Sequence, residues 1–132
     1  LIQVPLNIFD QRITATGWLG RLVSEGIEVH ARSIFLQGLL LMEPNSRPSY
    51  FGEWAHLFGV WDRLIDRLEV SRTAACIGFI NQHADISQAI VGIDNINQLE
   101  QILDAARQPV VVDVDGIYSD DSGLIDPFNW EI

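Results

Sequence analysis

The stretch His30–Met42, "HARSIFLQGLLLM", decides how the rest of the chain is read. It begins inside "IEVHARS" (27–33), which reads as a strand, and sets Arg32 and Ser33 between apolar runs before reaching Phe35, Gln37 and Gly38. A plain core strand has no need of a cation at its tip. A strand that delivers its C-terminal end to a ligand does.

Working outward, "LIQVPLN" (1–7) reads as a short strand with Pro5 near its end. In "GWLGRLVSEG" (17–26), Trp18, Leu19, Leu22 and Val23 have the spacing of one buried helical face, and Gly26 is a natural stop. "MEPNSRPS" (42–49) is polar with two prolines and reads as a loop. The strongest helix is "YFGEWAHLFGVWDRLIDRLEV" (50–70), with Phe51, Trp54, Phe58, Trp61, Leu64, Ile65 and Leu68 on one stripe. Gly52 and Gly59 weaken it, and a break is expected near Gly59. Ser71 is the expected cap of a helix "RTAACIGFINQHA" (72–84), whose small residues suit close packing on a sheet. "ISQAIVGI" (86–93) reads as a third strand, and Asn95 with Gln98 is a capping pair for the helix "INQLEQILDAAR" (96–107). From Gln108 onward the chain is acidic and holds Gly, Pro and Asp, so 108–132 is expected to wrap over the surface as a tail.

Strands alternating with helices predict an α/β fold with three parallel strands, near residues 2–5, 27–32 and 88–92. They should lie adjacent in chain order, with right-handed helical crossovers and the helices on one side. Three parallel strands cannot close a barrel, and parallel sheets are normally covered on both faces. The pattern wants more strands than the 132 residues supply, so an uncovered inner face bearing Ile2, Val4 and Val29 is expected, with two open edges. The chain opens on Leu1, inside a strand-like stretch, and reads as one partial domain of a longer protein.

Composition narrows the function. Hydrophobic content of 48% with 20% charged residues is that of a globular chain. Eight basic against 18 acidic residues leave a net charge of −10, which repels phosphate backbones and anionic lipid and argues against nucleic-acid and membrane partners. The one cysteine, Cys76, has apolar neighbours and no internal disulfide partner, which fits a reducing cytoplasm. No metal spacing joins His30, His56 and His83. "DVDGIYSDD" (113–121) has a passing likeness to a calcium loop, but Ile117 stands at a ligand position and no glutamate closes it.

Three segments together resemble the aldo/keto reductases: "QVPLN" (3–7), "ARSIFLQGLL" (31–40) and "IVGIDNINQLEQ" (90–101), in that family's order. "LEVSRTAACIGFINQH" (68–83) resembles the helix before its last strand, and "IDPFNWEI" (125–132) the end of a bacterial subgroup. The resemblance implies the C-terminal three strand–helix units of a (β/α)8 TIM barrel, a fold of about 250 residues. It places Gln3 where a glutamine bonds the nicotinamide carboxamide. Arg32 stands where an aromatic residue usually stacks on the nicotinamide; a guanidinium is planar and stacks too, but carries charge. Ser33, Phe35 and Gln37 match the stretch along the cofactor pyrophosphate, with Gly38 turning the chain away. Asp94 and Gln98 fall where members that prefer NADP carry Lys, Ser or Arg around the 2′-phosphate, so NAD is slightly favoured over NADP. The family's catalytic Asp, Tyr, Lys and His belong to earlier strands, and no catalytic residue is assigned here.

Each assignment has a plainer reading. Arg32 serves a barrel-interior salt bridge as well as a cofactor, and Gln3 and Ser33 serve as satisfied polar residues at strand ends. Trp130 is either a substrate-mouth aromatic or, more commonly, a C-terminal anchor. Trp54 and Trp61 recur at helical spacing and belong to the core. The expected function is the cofactor-binding part of an NAD(P)H-dependent oxidoreductase acting on a small carbonyl, inactive by itself. Its expected partner is the missing N-terminal barrel portion or another copy. The alternative is a non-enzymatic interaction or regulatory protein on the reductase fold.

Overall fold

Three short strands pair in parallel in the order β1–β2–β3, as the alternation predicts. The computed structural model describes all residues from Leu1 to Ile132. β1 (Ile2–Pro5) lies beside β2 (Val29–Arg32) with Ile2 opposite Val29 and Pro5 opposite Arg32. β3 (Gln88–Ala89) pairs with the other edge of β2, Gln88 opposite His30. The third strand is shorter than the expected 88–92. Its ladder ends with the bond from Ile90 N–H to the Ala31 carbonyl, 2.8 Å. The cause lies in β2, which stops at Arg32 because Ser33 turns into the left-handed region, φ 57°, leaving Val91 and Gly92 no extended partner.

Between β1 and β2 run α1 (Arg12–Ala15) and α2 (Trp18–Ser24), the latter closed by Gly26 at φ 75°. Only Leu19 of the expected α2 face is buried; Trp18 is half exposed, under the Arg21 guanidinium 4.9 Å from its ring. Side chains alternate between the two faces of a strand. The register therefore sends Val4, Val29 and Ala31 to one face and Gln3, His30, Arg32 and Gln88 to the other. Val4 and Val29 are buried against Leu19. The expectation that these valines would lie on an uncovered face is thus corrected. The outer positions Gln3, Arg32 and Gln88 are exposed, so the open face is polar and only Ile2 of the three is substantially exposed.

β2 leads through an irregular segment and a 3-10 stretch, Ser49–Trp54, into α3 (Ala55–Leu68). The expected single helix over 50–70 thus changes type at Trp54. It does not break at Gly59, which sits inside α3 with Arg63 Nη1 as the nearest atom to where a Cβ would stand. Phe51, Trp54, Leu57, Phe58, Trp61 and Leu64 are buried. Each such side chain contributes about 1.5–3 kcal/mol of hydrophobic burial. Trp61 satisfies its indole N–H on the Leu40 carbonyl, 3.1 Å, and Phe58 meets Phe9 edge-on at 5.1 Å.

Ser71 caps α4 (Arg72–Asn81) by accepting from Ala74 N–H, 3.0 Å. Asn95 caps α5 (Ile96–Ala106) by accepting from Gln98 N–H, 3.0 Å, while the Gln98 side chain reaches back to Asp94 N–H at 2.8 Å. Both caps were legible; the return bond goes to Asp94 rather than to Asn95. α4 and α5 pack on each other. The acidic tail does more than wrap the surface. It carries α6 (Ser122–Ile125) and inserts Val112, Ile117, Leu124 and Ile125 into the main core. No helix is long and apolar enough to cross a membrane.

Four charged side chains tie the connection after β2 to the helices. Arg47 donates through Nη1 to Asp62 Oδ2 at 2.8 Å, and Arg72 Nη1 lies 2.8 Å from Asp62 Oδ1. Glu43 stands 3.7 Å from Arg72 Nε. Arg47 also stacks on Phe58, 4.5 Å from the ring centre.

A candidate binding cavity at the strand ends

The turn after β2 is backbone held in an unusual shape. Ser33, Leu36 and Gln37 have φ of 57°, 47° and 53°, and Gly38 has 83°. A left-handed conformation costs a residue with a side chain roughly 1–2 kcal/mol, so three in five positions need strong anchors. Ile34, Leu36, Leu39 and Leu40 supply them, all buried in the main core. The Ser33 carbonyl accepts two bonds, from Leu36 N–H at 2.9 Å and from Asn7 Nδ2 at 3.1 Å. The backbone N–H groups of Ile34, Phe35, Gln37 and Gly38 donate to no acceptor within the protein. Strain of this kind concentrates at ligand clamps and switch regions, and unengaged N–H groups in such turns make anion-binding concavities.

These residues border a cavity of about 610 Å³, within the range of small-molecule sites. Arg32 and the 33–38 turn form one wall. Ile90, Val91, Gly92 and Asp94 form the second, with Gln98, Gln101 and Ile102 of α5, and Thr73 in the first turn of α4 closes it. The positive ends of α4 and α5 both reach the space. Arg32 and Asp94 are the ionisable side chains of the lining, which has no His, Cys or Tyr. The arrangement suits holding a polar, anionic ligand by short-range donors.

Of the residues singled out in the sequence, Arg32, Ser33, Phe35, Gln37, Asp94 and Gln98 meet at this cavity. Gln3 does not line it; it sits on β1 opposite His30, on the polar sheet face. Trp130 lies apart as well, edge-on to Phe51 at 4.9 Å with its indole donating to the Leu124 carbonyl at 2.9 Å, the geometry of an anchor. Sequence reading missed Thr73, Gln101 and Ile102. Gln101 and Ile102 stand three and four residues beyond Gln98, so helical spacing alone would have put them on its face. Thr73 had only its place two residues after the Ser71 cap to recommend it.

Two of the three histidines have structural partners. His30 Nε2 lies 2.9 Å from Glu28 Oε1, and that hydrogen bond holds the Glu28 carboxyl below its usual range. His83 Nδ1 is 2.9 Å from the Phe79 carbonyl. Burial pushes the Cys76 thiol far up, out of reach of thiolate chemistry near neutrality. No three His, Cys, Asp or Glu side chains converge as a metal site would require.

The chain is therefore a parallel α/β unit with a donor-rich cavity at the carboxyl ends of its strands. No protein-family model, no curated protein and no solved structure matches it.

Proposed function

We infer that this chain is the dinucleotide-binding portion of an NAD(P)-dependent oxidoreductase built like the aldo/keto reductases, supplying the last three strand–helix units of a (β/α)8 barrel. The observation that carries this reading is the set of free backbone donors at Ile34, Phe35, Gln37 and Gly38 bordering a cavity at the strands' carboxyl ends, where barrel enzymes keep their sites. In this reading the pyrophosphate lies against those N–H groups and the Arg32 guanidinium, which matches phosphate geometry. Asp94 faces a ribose hydroxyl, which favours NAD over NADP because a carboxylate repels a 2′-phosphate. The nicotinamide lies toward Arg32. Gln3 reaches its carboxamide only once the barrel is completed, because β1 presents it outside the present cavity. The open edges of β1 and β3 then receive the N-terminal barrel strands or a second copy.

Calorimetric titration with NAD⁺, NADP⁺ and inorganic pyrophosphate tests the reading. NAD⁺ should bind, pyrophosphate should compete with it, and Arg32→Ala should weaken both. Failure of all three ligands to bind at millimolar concentration overturns it. No carbonyl reduction is expected from the chain alone, since in this reading the residues that would protonate the carbonyl oxygen belong to earlier strands. A second reading, a non-enzymatic protein on the reductase fold, is favoured by Arg32, whose charge opposes a cationic oxidised ring. Cofactor binding without turnover in the completed barrel would support it.

A further inference from the structure

The cavity's most exposed weakness is its strained turn, and one buried side chain outside the cavity holds it. Asn7 follows β1 and is 1% exposed. Its Oδ1 accepts from Phe9 N–H at 3.0 Å and from Asp10 N–H at 2.9 Å, closing the turn that leaves β1. Its Nδ2 donates at 3.1 Å to the carbonyl of Ser33, the first left-handed residue after β2. One side chain thus joins two neighbouring strand exits. The Leu6 N–H bond to the Arg32 carbonyl, 3.2 Å, brings those exits side by side.

In a planar trans peptide the carbonyl and the following N–H point in opposite directions. Drawing the Ser33 carbonyl toward Asn7 therefore turns the Ile34 N–H away from Asn7, and Ile34 lines the cavity while its N–H has no acceptor in the protein. We propose that Asn7 is a positioning residue of the anion-binding turn: by fixing the Ser33–Ile34 peptide plane it aims the Ile34 N–H at a phosphate oxygen of the ligand. The role rests on the dinucleotide reading above and adds to it a residue that touches no ligand.

Asn7→Asp removes the donation to Ser33 while keeping the two acceptor bonds within its own turn, and it sets a carboxylate oxygen against the Ser33 carbonyl in place of the amide. Asn7→Ser does the same without adding charge, since a hydroxyl also closes such turns but is too short to reach Ser33. Inorganic pyrophosphate is the probe, followed by calorimetry and by amide resonances in a ¹H–¹⁵N spectrum. In the wild type, pyrophosphate should shift the Ile34, Gln37 and Gly38 amides. In both variants binding should weaken on the order of tenfold, the effect of one misaligned charge-assisted bond, and the Ile34 shift should vanish while those of Gln37 and Gly38 persist. A merely structural role would move all three amides or none. If Asn7→Asp fails to fold, the Asn7→Ser result decides. Wild-type-like affinity and an unchanged Ile34 response in a folded variant overturn the positioning role alone. Absence of any pyrophosphate effect on the wild type overturns it together with the dinucleotide reading.

Discussion

Replacing Asp62 with alanine should destabilise the chain by about 3 kcal/mol. Asp62 serves two guanidiniums whose side chains are only 9% and 10% exposed, those of Arg47 and Arg72. Removing it takes the carboxylate from both, leaving Arg47 its 3.2 Å bond to the Met42 carbonyl and Arg72 only the distant Glu43. Breaking a buried pair by deleting one partner costs about 3–5 kcal/mol. The lower end applies because Asp62 itself is 21% exposed and partly hydrated. Glu43, 76% exposed and 3.7 Å from Arg72 Nε, offers little substitute. With about 2.1 cal/mol/K of unfolding entropy per residue, a chain of 132 residues loses about 10 °C in Tm for that change. Thermal and urea unfolding of Asp62→Ala should be compared with Asp66→Ala, one turn on and exposed, which should stay within about 0.5 kcal/mol of wild type. The pH dependence has a definite sign. Burial pushes the Asp62 carboxyl up, but the hydrogen bonds from Arg47 and the adjoining Arg72 guanidinium outweigh it and hold the carboxyl below the usual range. The unfolded-state value is about 3.9, so this contribution is complete above that region and is lost as pH falls through the depressed folded value. Asp62→Asn should flatten that acid limb. If Asp62→Ala and Asp66→Ala unfold alike, the network is ornamental and the reasoning fails.

Asp94→Ser should move the NAD⁺/NADP⁺ affinity ratio toward NADP⁺, by at most the ~1–4 kcal/mol of a close charge pair near a surface; a wild type that already prefers NADP⁺ refutes it. Gly78→Ala should cost about 1–3 kcal/mol in a thermal melt, because a Cβ there would stand 2.5 Å from the Val110 carbonyl oxygen; an unchanged Tm would mean that the tail is not seated on α4. Pyrophosphate affinity should hold or rise as ionic strength goes from about 0.01 M to about 0.1 M, which shortens the screening length from about 30 Å to about 10 Å. A steep loss of affinity with salt would point instead to binding at a scattered basic surface.

Local signals were readable where the physics is local. The Ser71 and Asn95 caps depend on side chains within a few residues of the backbone they satisfy, and both stand where their spacing put them. The strand order followed from alternation and connection length. What failed to show was whatever depends on contacts distant in sequence. Val4 and Val29 could not be assigned a face until the register and α2 were known together. The third strand's early end is decided by Ser33, more than fifty residues before it. The tail's apolar residues looked isolated among aspartates until Val112 and Ile117 were seen to meet the core. The cavity was half legible for the same reason: its wall from β2 is one continuous segment, while Thr73 and Gln101 come to it on separate helices.

A chain of net charge −10 is an unpromising host for a pyrophosphate, so the proposed dinucleotide reading must find its attraction in the cavity's own composition. Long-range attraction is not available to it, since the summed field repels anions. What remains is short range: backbone N–H groups, two helix ends and one guanidinium at Arg32. Backbone donors carry no net charge and need no counter-ion, so they can be concentrated in an acidic protein without disturbing its surface. They act only if aimed, however, and a relaxed turn would bond them to its own carbonyls. The left-handed residues at Ser33, Leu36 and Gln37 keep them from doing so. The strain that this requires is held by buried leucines on one side and by Asn7 on the other. On this argument the acidity of the chain, the unusual backbone after β2 and the buried asparagine after β1 are parts of one arrangement. On the proposed reading, a basic turn of relaxed geometry would hold such a ligand by charge and would have no need of Asn7.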